Sequence, residues 1–277
     1  MTLPENPIVI ESGAFERVTA TLETICRDHG VSIPLAIESG SRAWGFPSPD
    51  SDYDCRFIFV RPAAHYLSPW QRRDVIEMPL AGELDVTGWE LGKALKLLLK
   101  GNAVIIEWLT SPIVYWADTE FRHEFLHLAR SAADRTLIAR HYLHLGERQR
   151  RAYFQDDKEI PLKKIFYALR PAAALRWLRF HPNEAVAPMH FPTLLNECDP
   201  SAEIKEIVAA LLSKKSVTRE LGMGPLPKPI GAFIDQEFEL ARARLTPERP
   251  SILPDFRERA EAFFRSTVLK LEREASV

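Results

Sequence analysis

The stretch Asp52-Tyr53-Asp54-Cys55-Arg56-Phe57-Ile58-Phe59-Val60 constrains this chain more than any other. Its aromatic and β-branched residues follow the turn-rich Gly-Phe-Pro-Ser-Pro-Asp-Ser at 45–51, so the pattern predicts a buried strand. Side chains two apart on a strand project from one face, so Asp52 and Asp54 point together while Tyr53 and Cys55 point the other way. Two carboxylates at the start of so apolar a strand repel one another and are costly to desolvate. They call for a positive partner between them.

The segments around this strand outline an architecture. Residues 14–29 place Phe15, Val18, Leu22, Ile25 and Cys26 at helical spacing, with Gly30 as a stop. Residues 33–39 read as a short buried strand that leads into Gly40-Ser41. Residues 74–80 and 83–91 read as two further strands, close enough to pair through an Ala81-Gly82 turn. From Glu90 the pattern turns helical, with Gly101-Asn102 as a break. Beyond residue 117 it predicts helices over 118–130, 133–155, 160–180, 201–213, 228–246 and 254–273, the later ones separated by proline-containing joints. A strand-rich front and a helical back predict an α+β protein. A mixed-sheet domain over residues 1–117 precedes a helical domain over 118–277 that closes one side of a cleft.

Charge follows the same division. Residues 1–117 hold 10 Lys+Arg against 15 Asp+Glu, whereas residues 135–180 hold 11 against 4, for nets of −5 and +7. An acidic front facing a basic segment fits a metal site opposite an anion-binding surface, and a solvated helical surface is the alternative. Cys26, Cys55 and Cys198 are widely separated and odd in number, which argues against a disulfide framework. No stretch approaches the roughly 20 apolar residues of a membrane span, and the start does not read as a signal peptide. A cytoplasmic protein is the expectation.

The carboxylates suggest a chemistry. Paired aspartates on a rigid strand suit magnesium, which takes a few carboxylates, waters and phosphate oxygens. Two such ions activate a hydroxyl and neutralise a leaving pyrophosphate. Asp85, in the apolar run Glu83-Leu84-Asp85-Val86-Thr87-Gly88-Trp89, is a third carboxylate. Beside Asp52 and Asp54 it completes a metal site and serves as general base toward an incoming hydroxyl. Gly40 lets the backbone approach a phosphate, Ser41 offers a hydroxyl, and Arg42 adds charge against the same oxygens. Farther on, Lys163, Tyr167 and Arg170 recur at helical intervals and share one face, with Lys164 off the stripe. A cation–aromatic–cation stripe grips a triphosphate and stacks a base; the alternative is a solvated face with one buried tyrosine.

The pattern as a whole, strand, Gly-Ser, turn, Asp-x-Asp and a further strand carrying Asp, resembles the signature of the DNA polymerase β superfamily of nucleotidyltransferases. The runs at 40–60, 83–102, 107–115 and 163–177 together resemble the RlaP (YcgL-like) family, which is associated in some genomes with RNA repair. The resemblance implies an active enzyme with two magnesium ions on Asp52, Asp54 and Asp85. Gly40 and Ser41 then correspond to the phosphate-holding pair of a nucleoside triphosphate such as ATP. It leaves the acceptor open among an RNA end, a protein side chain and a small molecule. A regulator that nucleotidylates a protein and a non-catalytic nucleic-acid-binding module are the alternatives.

Other residues read more plainly. Lys93 fits a helix surface, Asn102 a cap on the next helix, and Trp108 the core. Glu107, among apolar residues, needs a partner and can support the site from behind. His123 and His127 lie four apart and His141 and His144 three apart, but no protease-type zinc motif accompanies them. Nucleophile-elbow, P-loop and dinucleotide fingerprints are missing from the sequence.

Overall fold

The computed structural model describes residues 10–70, 72–154, 159–219, 221–246 and 252–274. Helix α1 (Ser12–His29) precedes β1 (Ser32–Glu38), the single-turn α2 (Gly40–Ala43), β2 (Tyr53–Val60), α3 (Ala63–Tyr66), β3 (Val75–Glu77) and β4 (Leu84–Glu90). Then come α4 (Leu91–Leu99), α5 (Ala103–Thr110) and β5 (Val114–Ala117). The helical part comprises α6 (Thr119–Ala132), α7 (Arg135–Tyr153), α8 (Ile165–Phe180), α9 (Phe191–Glu197), α10 (Ala202–Val217), α11 (Lys228–Arg244) and α12 (Pro254–Glu274). Two short strands, β6 (Ile160–Pro161) and β7 (Met223–Gly224), pair within it. The protein is α+β, with a mixed sheet in front and helices behind.

The main sheet runs β3-β4-β2-β1-β5. Only β2 and β4 are parallel, with Asp54 opposite Asp85 in register. β1 runs antiparallel to β2, so its C-terminal end meets the N-terminal ends of β2 and β4 at one edge. The Gly40-Ser41 turn leaves the sheet at that edge.

The pleat sorts β2 between two cores. Cys55, Phe57 and Phe59 face Val18, Leu22 and Ile25 of α1. Ile58 and Val60 face the other way, into an apolar cluster that runs from Leu35 through α4, α5 and α8 to Val268 of α12. Asp54 and Arg56 share that second face, at the end where apolar packing stops. This larger core crosses the joint at residues 117 and 118 without interruption.

Local chemistry explains several boundaries. Asn102 Oδ1 accepts from the Val104 N–H at 2.9 Å and starts α5, as the sequence predicts. Asp118 and Asp134 cap α6 and α7 in the same way. Trp108 stacks on Trp89 at 4.1 Å between ring centroids, inside the core. Two expectations are corrected. The helix predicted from residue 160 begins at Ile165, because Ile160-Pro161 pairs with β7 and Leu162–Lys164 form a 3-10 turn. The proline-containing joint before residue 193 holds α9, with Pro192 at its first turn, where a missing N–H costs nothing.

Candidate active site

The sheet edge is held by hydrogen bonds between loops. The Ser39 N–H donates to the Asp54 carbonyl at 2.8 Å. Gly40 follows at φ +60°, and a Cβ there would lie 1.9 Å from Asp54 Oδ2, so glycine alone lets the turn pass this carboxylate. Beneath it, the buried Glu38 accepts the Asp54 N–H at 3.0 Å and the Tyr115 hydroxyl at 2.6 Å. Burial pushes the Glu38 carboxyl up to about 7. Sequence reasoning passed over Glu38, although a glutamate closing a fully apolar strand is itself a signal that it has partners.

Ser41 Oγ donates to Ser51 Oγ at 2.9 Å, which ties α2 to the turn before β2. Arg42 donates to the Ser51 and Asp52 carbonyls at 2.6 and 3.2 Å and lies over the Tyr53 ring at 3.9 Å. It fastens the Asp52 backbone in place and is not among the residues that line the cavity.

The positive partner that the carboxylates call for is Arg56. Its Nη2 lies 2.9 Å from Asp54 Oδ1 and 2.8 Å from Asp85 Oδ2, and its Nη1 donates to the carbonyls of Cys55 and Asp85, each at 3.0 Å. Burial raises the pKa of Asp54, against the opposing pull of Arg56, while Asp85 and Asp52 add to the rise. Among the described residues, no three His, Cys, Asp or Glu side chains converge as a metal cluster, the histidine pairs included. Asp54 and Asp85 close on a guanidinium instead.

Across from this edge stand the helices. A cavity of about 480 Å³ is lined by Gly40, Ser41, Asp52, Asp54 and Arg56 on the sheet side. Lys163, Lys164, Tyr167, Lys215 and Arg219 line it on the helical side, with Trp44 and Phe46 between. Tyr167 is partly exposed and meets Trp44 edge-on at 6.1 Å between centroids. Lys164, off the stripe by sequence, sits with its Nζ 4.7 Å from the Tyr153 and Tyr167 rings. Asp85 lies one strand over and reaches the cavity only through Arg56.

The structure brings Lys163 and Tyr167 to the cavity and turns Arg170 away from it. Arg170 is buried, pairs with Glu107 at 2.7 Å and lies under the Trp44 ring at 4.5 Å. Glu107 also accepts the Tyr142 hydroxyl at 3.4 Å. Glu107 thus has its partner, and that partner is the arginine that the spacing assigned to phosphate. A helical face is broad, and two steps of four and three residues carry Arg170 from the cavity rim into the core.

Lys215 and Arg219 are the cavity cations that the sequence reading missed. Lys215 continues the buried row of Ile204 and Val208 on α10, a spacing that marks it as inward-facing. Its Nζ donates to the Phe46 carbonyl at 2.6 Å, and burial lowers its pKa to about 8. Asp50, at the rim, is held below the usual carboxylate range chiefly by its hydrogen bond with Ser48, helped by Arg219 and Lys163.

The basic segment at 135–180 spends several of its charges on carboxylates of the same chain. Arg150 pairs with Asp235, Arg170 with Glu107, and Arg176 and Arg179 with the buried Glu237. Lys93 pairs with Asp74 on the surface. No helix among the described residues is long and apolar enough to cross a membrane.

A mixed sheet opening on Asp-x-Asp, with a Gly-Ser turn packed against it and a basic wall opposite, accompanies a match to a DNA polymerase beta family. Over residues 15–266 the chain matches RlaP, the RNA repair pathway DNA polymerase beta family, and it belongs to that family. It is 40% identical over 224 residues to the uncharacterized protein YcgL of Bacillus subtilis strain 168, covering 81% of this chain and 85% of that one. A crystal structure of a nucleotidyltransferase-like protein from Exiguobacterium sibiricum 255-15 aligns over 92% of this chain and 76% of that one. The identity there is 12% and the TM-score 0.28, too low to inform the site.

Proposed function

We propose that the protein transfers a nucleoside monophosphate from a nucleoside triphosphate to an acceptor hydroxyl, with release of pyrophosphate, in an RNA-repair setting. The observation that carries this reading is the cavity with Asp52, Asp54, Arg56 and a Gly-Ser turn on one wall, Asp50 at its rim, and Lys163, Lys164, Lys215 and Arg219 on the other wall. Such a site suits a triphosphate that arrives with divalent metal. The donors fit magnesium in kind, because Asp52 and Asp54 offer hard oxygens and Asp54 Oδ2 is pressed against the Gly40 backbone. Asp52 and Asp54 would hold the metal, with Asp85 as the third carboxylate. When bound, magnesium supplies charge neutralisation of the phosphates.

The chain's own residues do the rest. Lys163, Lys164, Lys215 and Arg219 bind the β- and γ-phosphates, and Ser41 receives a phosphate oxygen. Tyr167 and Trp44 wall the nucleoside side. Asp85 takes the proton of the acceptor hydroxyl as the new P–O bond forms and the bond to pyrophosphate breaks. Catalysis is then largely positioning and charge neutralisation. A cytoplasmic site of action accords with this substrate.

The test is incubation with each labelled triphosphate and magnesium, together with total RNA or total protein, and comparison with Asp52→Asn. The wild type should label RNA, and Asp52→Asn should lose activity by roughly 10²–10³-fold with an unchanged Tm. Labelled protein instead would move the acceptor to a polypeptide. Full activity in Asp52→Asn would end the nucleotidyltransfer reading.

A further inference from the structure

Arg56 occupies the place where two carboxylates of the proposed metal site converge. One nitrogen, Nη2, contacts Asp54 Oδ1 and Asp85 Oδ2, while Nη1 is bound to two backbone carbonyls. The two nitrogens therefore have different fates available. The carbonyl contacts tether the guanidinium to the sheet. The carboxylate contacts are within reach of solvent: the three side chains are 18%, 27% and 40% exposed, and Arg56 and Asp54 line the open cavity.

We infer that Arg56 is a resident counterion, which holds Asp54 and Asp85 together in the metal-free protein and which a divalent cation displaces on loading. The inference rests on the metal reading above and adds a regulatory step to it. Without a cation the clustered carboxylates repel, and Arg56 supplies one positive charge that offsets this. A divalent cation supplies two charges and needs the same oxygens, so the guanidinium and the metal compete for Asp54 Oδ1 and Asp85 Oδ2. Nη2 then swings away while Nη1 stays hinged on Cys55 and Asp85. Arg56 thereby lowers the affinity for free metal, so loading favours metal that arrives already bound to a triphosphate.

A brace whose loss disorders the two carboxylates would weaken metal binding, whereas a displaced counterion strengthens it when removed. The full chain is titrated calorimetrically with Mn²⁺ alone at pH 8 and low salt, and metal-free Tm is read in chelator. Arg56→Gln should bind Mn²⁺ about tenfold more tightly than wild type, because a like charge has left the site, and its metal-free Tm should fall. Arg56→Lys keeps the charge without the two-pronged geometry and should bind with a smaller gain. Asp54→Asn should lose the heat signal, assigning it to this site. Binding by Arg56→Gln equal to or weaker than wild type overturns the counterion role and leaves the metal reading standing. Should Arg56→Gln fail to fold, no gain in Arg56→Lys overturns it. No Mn²⁺ binding by any of these proteins overturns both readings together.

Discussion

Two arginines of this protein each sit against carboxylates at under 3 Å, and their settings are opposite. Arg56 meets Asp54 and Asp85 at the lip of an open cavity, with side chains partly exposed. Arg170 meets Glu107 in the core, where both side chains are at most 7% exposed. The bonds are alike in length; the dielectric around them is not. A pair that water reaches can exchange partners at low cost. A buried pair is locked, because either member left alone keeps an uncompensated charge away from water. The difference separates a site that can change state from a brace that cannot.

The strongest way to break this contrast is Arg170→Ala. It should cost about 3–5 kcal/mol in denaturant unfolding, by stranding Glu107. Its effect on nucleotide affinity should follow only from movement of Trp44. A stable Arg170→Ala protein with weakened nucleotide binding would return Arg170 to the substrate and erase the contrast.

A smaller effect is expected at Lys215. Lys215→Met keeps most of the buried stem and removes the charge, so calorimetric titration with a non-hydrolysable triphosphate and magnesium should show about tenfold weaker binding, as a charge-assisted contact is worth roughly 1.5–3 kcal/mol. Unchanged affinity would confine Lys215 to its bond with the Phe46 carbonyl.

The least effect concerns Glu38, whose carboxyl burial lifts to about 7 in the folded chain. A raised folded-state value means that protonation favours the fold. The contribution is full below the unfolded value near 4.5 and is lost as pH rises through about 7. Wild-type Tm should therefore decline relative to Glu38→Gln between pH 5 and 8, by a few degrees. Parallel Tm curves would show that Glu38 keeps its charge in the folded state.

These contrasts also mark what the sequence discloses. The strand at residues 53–60, the pairing of the strands at 74–80 and 83–91 and the cap at Asn102 are local or period-two features, and they are legible. The parallel pairing that sets Asp54 opposite Asp85 is long-range and entered only as a condition. The helical stripe was legible only as spacing. Whether Arg170 faces water or the core depends on Glu107 and Trp44, which come from other elements, and no local pattern carries that information. Lys215 was readable in principle, as the next member of the row Ile204 and Val208, but a lysine in the last turn of a helix is ordinarily solvated. Arg56 was hidden in plain view. The need for a positive charge was clear, and a bound metal seemed the natural source, although the chain itself supplies one two residues on.

The larger core has a consequence in time. Phe263 and Val268 of α12 share a core with α4 and with Phe121 and Phe125 of α6, so partners that meet in the fold are made far apart along the chain. At ribosomal rates of about 5–20 residues per second, the faces of α4 wait roughly 10–30 s for α12 to emerge. During that interval the apolar faces of α4 and α6 that α12 covers in the finished fold have no α12 to pack against.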